Sequence, residues 1–199
     1  MTHVYTSASM SLDGYIAGPG DSGFDHLFQW YGNGDVEIPT TDPEMTFKLT
    51  PQSAAYFSAS TRSTGALVVG RHLFDFTSGW GGEHTLGVHT FVVTHSVPSG
   101  WEHSENFTFV TDGIESAIAQ AKKHAGPDRV VGVNGGTIAR QCLEAGLLDE
   151  ICVDLVPVLL GAGTPFFSEL RKVPVTLEGP TTVIEGKAVT HLRYKVVHP

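Results

Sequence analysis

The chain has 199 residues, 41% hydrophobic and 17% charged, with 12 Lys and Arg against 21 Asp and Glu for a formal net charge of −9. That length suits one well-buried domain of ordinary globular composition, and the acidic excess argues against general binding to nucleic acid or to an anionic membrane. The two cysteines, Cys142 and Cys152, form no disulfide framework and sit inside periodic apolar segments, so they read as buried free thiols.

The start, MTHVYTSASM, lacks the basic region and apolar core of a secretory signal. The longest apolar run, around 151–160, is broken by Asp154 and Pro157 and is too short to span a bilayer. A soluble, cytoplasmic protein with no membrane partner is expected, as one domain over residues 1–199.

In chain order, residues 3–10 read as a first strand of mixed polarity. SLDGYIAGPGDSG (11–23) is a glycine-rich loop, plausible as a mobile lid. Residues 24–50 are weakly patterned, with a short helix near 24–30. Thr50 caps a helix that begins at Pro51. ALVVG (66–70) is a buried strand, and a helical turn follows at 72–76. SGWGGEHTLG (78–87) is a second glycine-rich loop. Strands follow at 89–95 and 106–110.

A helix over 113–126 places Ile114, Ala117, Ile118 and Ala121 on one stripe. Residues 129–133 form a strand. Next comes the most informative stretch, GVNGGTIARQCLEAGLLDEICVDLVPVLLGAGTPFF (132–167). It reads as strand end, glycine turn, helix, strand and second glycine turn. Gly135 and Gly136 allow close approach of backbone to a ligand, and Thr137 can cap the helix that ends at Gly146. A helix N-terminus suits a phosphate, so a phosphorylated small molecule, most plausibly a nucleotide, is expected there. The strand 150–156 is apolar on both faces except for Asp154. It suits a central strand or a subunit interface, and Asp154 needs a partner. Segments 175–184 and 188–197 suggest a closing hairpin with its turn near Glu185-Gly186. Alternating strands and helices imply an α/β fold, and the hairpin implies a mixed sheet, parallel at its centre and antiparallel at one edge.

Four segments resemble the dihydrofolate-reductase-like superfamily, and within it the reductase domain of riboflavin-biosynthesis deaminase-reductases and its stand-alone relatives. They are SLDGYIA (11–17), VVGRH (68–72), VVTH (92–95) and NGGT…LLDEI…PVLLGAGTPFF (134–167). The resemblance covers almost the whole chain and implies a three-layer α/β sandwich. With the chain beginning at strand one, no preceding deaminase domain is expected. The resemblance also implies an NADPH-dependent reductase acting on a small, heterocyclic metabolite, and a homodimer. A non-catalytic protein, or one binding a flavin or deazaflavin on the same fold, is the alternative.

Carried onto this sequence, the likeness places Gly70, Arg71 and His72 against the dinucleotide. Arg71 would meet the 2′-phosphate or pyrophosphate, or else be a surface cation. Thr94, His95 and Ser96 would surround the adenosine end, or else be ordinary strand-end polar residues. Asn134, Gly135, Gly136, Thr137 and Ile138 would cradle the pyrophosphate, with a cis peptide between Asn134 and Gly136. Ile16 and Ala17 would pack against the nicotinamide.

On the substrate side, Asp13 would be a polar anchor and catalytic group, or else one half of a turn pair. Trp30 would offer a stacking face, or else be core or a dimer contact. Leu160 and Gly161 would shape the pocket. Two departures stand out. The helix SAAYFSASTR (53–62) lacks the carboxylate that dihydrofolate reductases carry there, and Asn134 replaces a frequent Glu of the riboflavin-pathway enzymes. Neither pterin nor the riboflavin intermediate is therefore the expected substrate. Ten histidines raise the question of a metal, but no H-x-E-x-H-type spacing occurs and His84 lies in a glycine-rich loop, so no metal is expected.

Overall fold

The structure is a computed structural model that describes residues 2–101, 104–171 and 173–198. The first half comprises β1 (Val4–Ser11), β2 (Tyr15–Ala17), α1 (Phe24–Leu27), a 3-10 turn at Gln29–Gly32, β3 (Val36–Pro39), β4 (Thr46–Leu49), α2 (Pro51–Ser63), β5 (Thr64–Gly70), α3 (Arg71–Phe76) and a second 3-10 stretch at Ser78–Gly82. The second half comprises β6 (Thr90–Val93), β7 (Phe107–Val110), α4 (Ile114–Ala125), β8 (Val130–Asn134), α5 (Thr137–Glu144), β9 (Glu150–Val156), β10 (Thr164–Pro165), β11 (Leu177–Gly186) and β12 (Val189–Val196).

Eight strands form one sheet in the order β11-β12-β9-β1-β8-β5-β6-β7. From β9 to β7 every pairing is parallel, while β12 runs antiparallel to β9 and β11 to β12. Successive side chains on a strand face opposite ways, and the core divides accordingly. Ala66, Val68 and Phe91 pack with Ile114, Ala117 and Ile118 of α4 and with Ile138 and Cys142 of α5. Val69 and Val92 pack instead with Phe74 of α3. On that second face α2 and the 3-10 turn bring Ala54 and Trp30 against Val156 and Val189. Helices thus cover both faces, which makes the three layers.

Local sequence explains most boundaries. Pro51 opens α2, and Thr50 Oγ1 accepts the Ser53 amide at 3.4 Å. The α4 stripe is fully inside, and each buried Ile there contributes about 1.5–3 kcal/mol. Burial pushes both thiols up to about 12, so Cys142 and Cys152 are inert free cysteines.

Three expectations need correction. Thr137 does not cap α5: it is the first helical residue, and Gly136 occupies the cap with φ 72°, a left-handed conformation that favours glycine. The closing turn lies beyond Gly186, at Lys187-Ala188, with Ala188 at φ 56°. The weakly patterned region contains the β3–β4 hairpin, whose Leu49 is completely buried beside Trp30. No helix among the described residues is long and apolar enough to cross a membrane.

Candidate functional site

The carboxyl ends of β1, β8, β5 and β6 open onto a cavity of about 890 Å³. Open α/β sheets place their ligand sites there. Neighbouring strands lie about 4.8 Å apart, so the four spacings from β6 to β9 span roughly 19 Å. Along that span Thr94 of the β6 end and Asp154 of β9 stand near opposite ends of the cavity.

The structure brings Ile16, Ala17, Gly70, Arg71, His72, Thr94, His95, Ser96, Asn134, Gly135, Gly136, Thr137 and Ile138 together around this one cavity. Asn134 organises the middle of the floor. Its Oδ1 accepts the Gly70 amide at 3.0 Å and its Nδ2 donates to the Gly135 carbonyl at 2.8 Å. The β5 end and the glycine turn are thereby tied across the sheet. No cis peptide occurs at this turn; the described cis bonds are at Val173-Pro174 and Gly179-Pro180. The positive φ of Gly136 turns the chain instead. The Gly136 amide is also spent on the Phe166 carbonyl at 3.0 Å, so it does not face a ligand. The open donors are the first amides of α5, from Thr137 to Ala139, which have no partner within the helix.

At the β6 end, Arg71 Nε donates to both carboxylate oxygens of Asp75, at 2.7 and 2.8 Å. Its Nη1 donates to Thr94 Oγ1 at 3.3 Å and to the Ser96 carbonyl at 3.1 Å. The guanidinium is therefore preorganised on the cavity wall and half-exposed. His72 Nε2 meets Asp21 Oδ2 at 2.9 Å, which links α3 to the first loop.

Asp13, Trp30, Leu160 and Gly161 do not line the cavity. Asp13 accepts the amides of Leu160 and Gly161 at 3.1 and 2.7 Å and the Ser11 hydroxyl. The Ser11 bond foremost, with those amides, holds its carboxyl below the usual range. A carboxylate kept ionised and occupied is neither a proton donor nor a free anchor, so Asp13 and its two amide partners form a clasp between loops. Trp30 is 1% exposed and its Nε1–H donates to Ser9 Oγ at 3.0 Å, so it is core. The first loop is no free lid either. Beyond the Asp13 clasp, Leu12 donates to Val158, Phe166 donates to Gly14, and β2 pairs with β10.

The aromatic surface that sequence reasoning sought at Trp30 comes from its neighbours. Phe24, Phe28, Tyr31 and Phe76 line the cavity, with Phe24 and Phe28 stacked at 5.7 Å. Phe28 and Phe76 are 42% and 51% exposed. The Phe24-x-x-x-Phe28 spacing was the available signal. Asp154 lies on the central strand β9, between β1 and β12, and has the partner it was expected to need, His191 Nδ1 at 2.6 Å. Burial foremost, and then the Asp154 charge, push the Tyr31 hydroxyl above its ordinary range.

His84 is not the solvated loop histidine that its sequence context suggests. Its ring lies on Trp80 at 4.5 Å, Nδ1 accepts the Leu86 amide at 3.2 Å, and burial holds its pKa down to about 4. Among the described residues no three His, Cys, Asp or Glu side chains gather in a metal-binding group.

Residues 2–189 match the RibD C-terminal domain family. The chain is 23% identical over 162 residues to YwjB of Bacillus subtilis, an uncharacterized protein, covering 81% of this chain and 80% of that one. A candidate riboflavin biosynthesis protein from Shewanella sp. PV-4 superposes with a TM-score of 0.71 at 22% identity, over 99% of this chain and 100% of the other. RibD of Acinetobacter baumannii matches with a TM-score of 0.60 at 16% identity, over 99% of this chain and 58% of that one. A dihydrofolate reductase from Enterococcus faecalis, complexed with NADP(H) and RAB-propyl, matches with a TM-score of 0.55 at 16% identity, over 98% and 96%. The fold is thus dihydrofolate-reductase-like, and the chain belongs to the RibD C-terminal domain family.

Proposed function

We propose that this protein is an NADPH-dependent reductase of a small heterocyclic metabolite. One observation carries the reading: a single cavity across the strand ends is lined both by free helix amides and an arginine and by an aromatic wall. Phosphates and a planar ring call for those two surfaces.

The donor set fits the dinucleotide. Thr137 and Ile138 amides would hold the pyrophosphate, supported by the α5 dipole. Arg71, with Thr94, His95 and Ser96 beside it, would hold a 2′-phosphate. Ile16 and Ala17 would cover the nicotinamide. Ile16 already lies against the turn, since a Cβ on Gly135 would meet its Cδ1 at 2.9 Å. When bound, NADPH supplies the hydride. The chain's own task is then to orient two rings and exclude water. We further propose a homodimer, on the family likeness, with analytical sedimentation as its test.

The reading is tested by titrating the protein with NADPH and NADH, following tryptophan quenching and energy transfer to the nicotinamide. Saturable binding with NADPH preferred is expected. No binding of either at millimolar concentration refutes the nicotinamide reading and directs the search to flavins and deazaflavins.

A further inference from the structure

A polar row crosses three adjacent strands on the α2 face of the sheet. Ser9 of β1 is in register with Asp154 of β9, and Asp154 is in register with His191 of β12. Ser53, from α2, closes the row: its Oγ lies 2.9 Å from His191 Nε2, and His191 Nδ1 lies 2.6 Å from Asp154 Oδ1. The composition is that of a Ser-His-Asp hydrolase, but the direction is reversed. Ser53 and His191 are 1% and 0% exposed and do not line this cavity, whereas Asp154 does. The hydroxyl that would have to attack a substrate is sealed in the core, and the carboxylate faces the ligand space.

Asp154 is 93% buried, and one of its oxygens is held by His191. Its Oδ2 has no hydrogen-bond partner among the described residues. Every fully enclosed side-chain N or O atom among the described residues has a hydrogen-bond partner, so this oxygen is not sealed in the core, and a donor in the cavity that Asp154 lines is what would complete it. Around it stand Ser9, whose Oγ accepts from Trp30 Nε1 and keeps its own O–H, and the rings of Tyr31, Tyr56 and His191. Arg193 stacks on Tyr56 and pairs with Glu150, and forms no ion pair with Asp154. The cavity's other carboxylate, Asp21, is engaged by His72.

We infer that Asp154 is the substrate anchor of this cavity, held in aim by His191 and Ser53, and that it selects planar heterocycles presenting an N–H donor or a protonated ring nitrogen while rejecting anionic ones. The inference rests on the reductase reading only for its use. A protonated C=N carbon is the more electrophilic acceptor, so the carboxylate that binds it also favours its reduction. His191 and Ser53 are positioning residues, because neither reaches the ligand. They satisfy each other and Asp154 Oδ1, which leaves Oδ2 free on a residue that lines the cavity. This carboxylate comes from a strand and not from the helix where the sequence comparison sought one.

The test uses two probes on one ring system, 2-aminoquinoline and quinoline-2-carboxylate, titrated into the wild-type protein under mildly acidic conditions where the first is protonated. Binding is followed by ligand-observed NMR and calorimetry. The cation should bind at least about tenfold tighter, the scale of one charge-assisted hydrogen bond. Asp154→Asn should erase that preference, whereas Asp21→Asn should keep it. The ¹⁵N spectrum of His191 should change in Asp154→Asn and not in Asp21→Asn. Equal affinity for both probes, no binding of either at millimolar concentration, or a preference that survives Asp154→Asn overturns the inference. If Asp154→Asn does not fold, absence of the cation preference in the wild type still overturns the inference, and Asp21→Asn tells whether Asp21 is its source. NADPH titration of the same samples separates the two readings: loss of nucleotide binding with selectivity intact removes the reductase and leaves the anchor.

Discussion

Replacing Asn134 by Ala would cut the tie between the β5 end and the glycine turn. Two bonds are lost. The first leaves the half-buried Gly70 amide unpaired, and the second frees one lone pair of the Gly135 carbonyl. An unpaired amide in that setting costs about 1–2 kcal/mol and the carbonyl bond about 0.5–1 kcal/mol, for a total near 2 kcal/mol. In a chain of this size that lowers the thermal midpoint by about 4–8 °C. Calorimetry gives the midpoint, and amide hydrogen exchange gives the residue. The Gly70 amide should lose protection by more than the global destabilisation explains. Protection at Gly70 that simply follows the global change would show that Asn134 does not hold it, and the argument for a preorganised floor would fail.

Three further outcomes follow from the geometry. Gly163→Ala would overlap the Ala17 carbonyl oxygen and force a side chain to φ 133°, so a loss of about 3 kcal/mol or more is expected in denaturant unfolding, and a change below about 1 kcal/mol would contradict the loop contact. Arg71→Ala should weaken NADPH about tenfold and NADH little, because the guanidinium faces the proposed phosphate site; equal losses would assign Arg71 to structure alone. The depressed His84 pKa implies that the unfolded state binds its proton first as pH falls. Stability should therefore decline from near pH 6.5 to near pH 4 through this group, and His84→Gln should flatten that limb of the pH–stability curve.

The strands and helices that were legible in the sequence are those with a local cause. The α4 stripe, the Thr50-Pro51 start and the unbroken apolar strands each declare themselves within a dozen residues. The cofactor side of the cavity was legible too, because short glycine-containing turns at strand ends carry it. The substrate side was not. Trp30 and Tyr31 are adjacent in sequence, and which one turns inward depends on the buried Ser9 hydroxyl. Asp154 reads as an odd polar residue in an apolar strand until β12, nearly forty positions later, places His191 beside it. Asp13 looks like a site residue because its motif is site-like, yet its lone pairs are taken by amides almost 150 residues away. Long-range pairing decides all three, and no local pattern encodes it.

The Asp13 clasp has a consequence for how such a chain can change. The first loop is stitched to segment 158–166 at Asp13, Leu12 and Gly14, and Phe166 is stitched in turn to Gly136 at the head of α5. A residue inserted or removed between Ser11 and Ala17 would slide every stitch by one and drag Gly136 with it. The two segments can therefore vary in length only as a matched pair, and grafting one of them from a relative without the other should yield a protein that folds its sheet but misplaces the turn over its central strands.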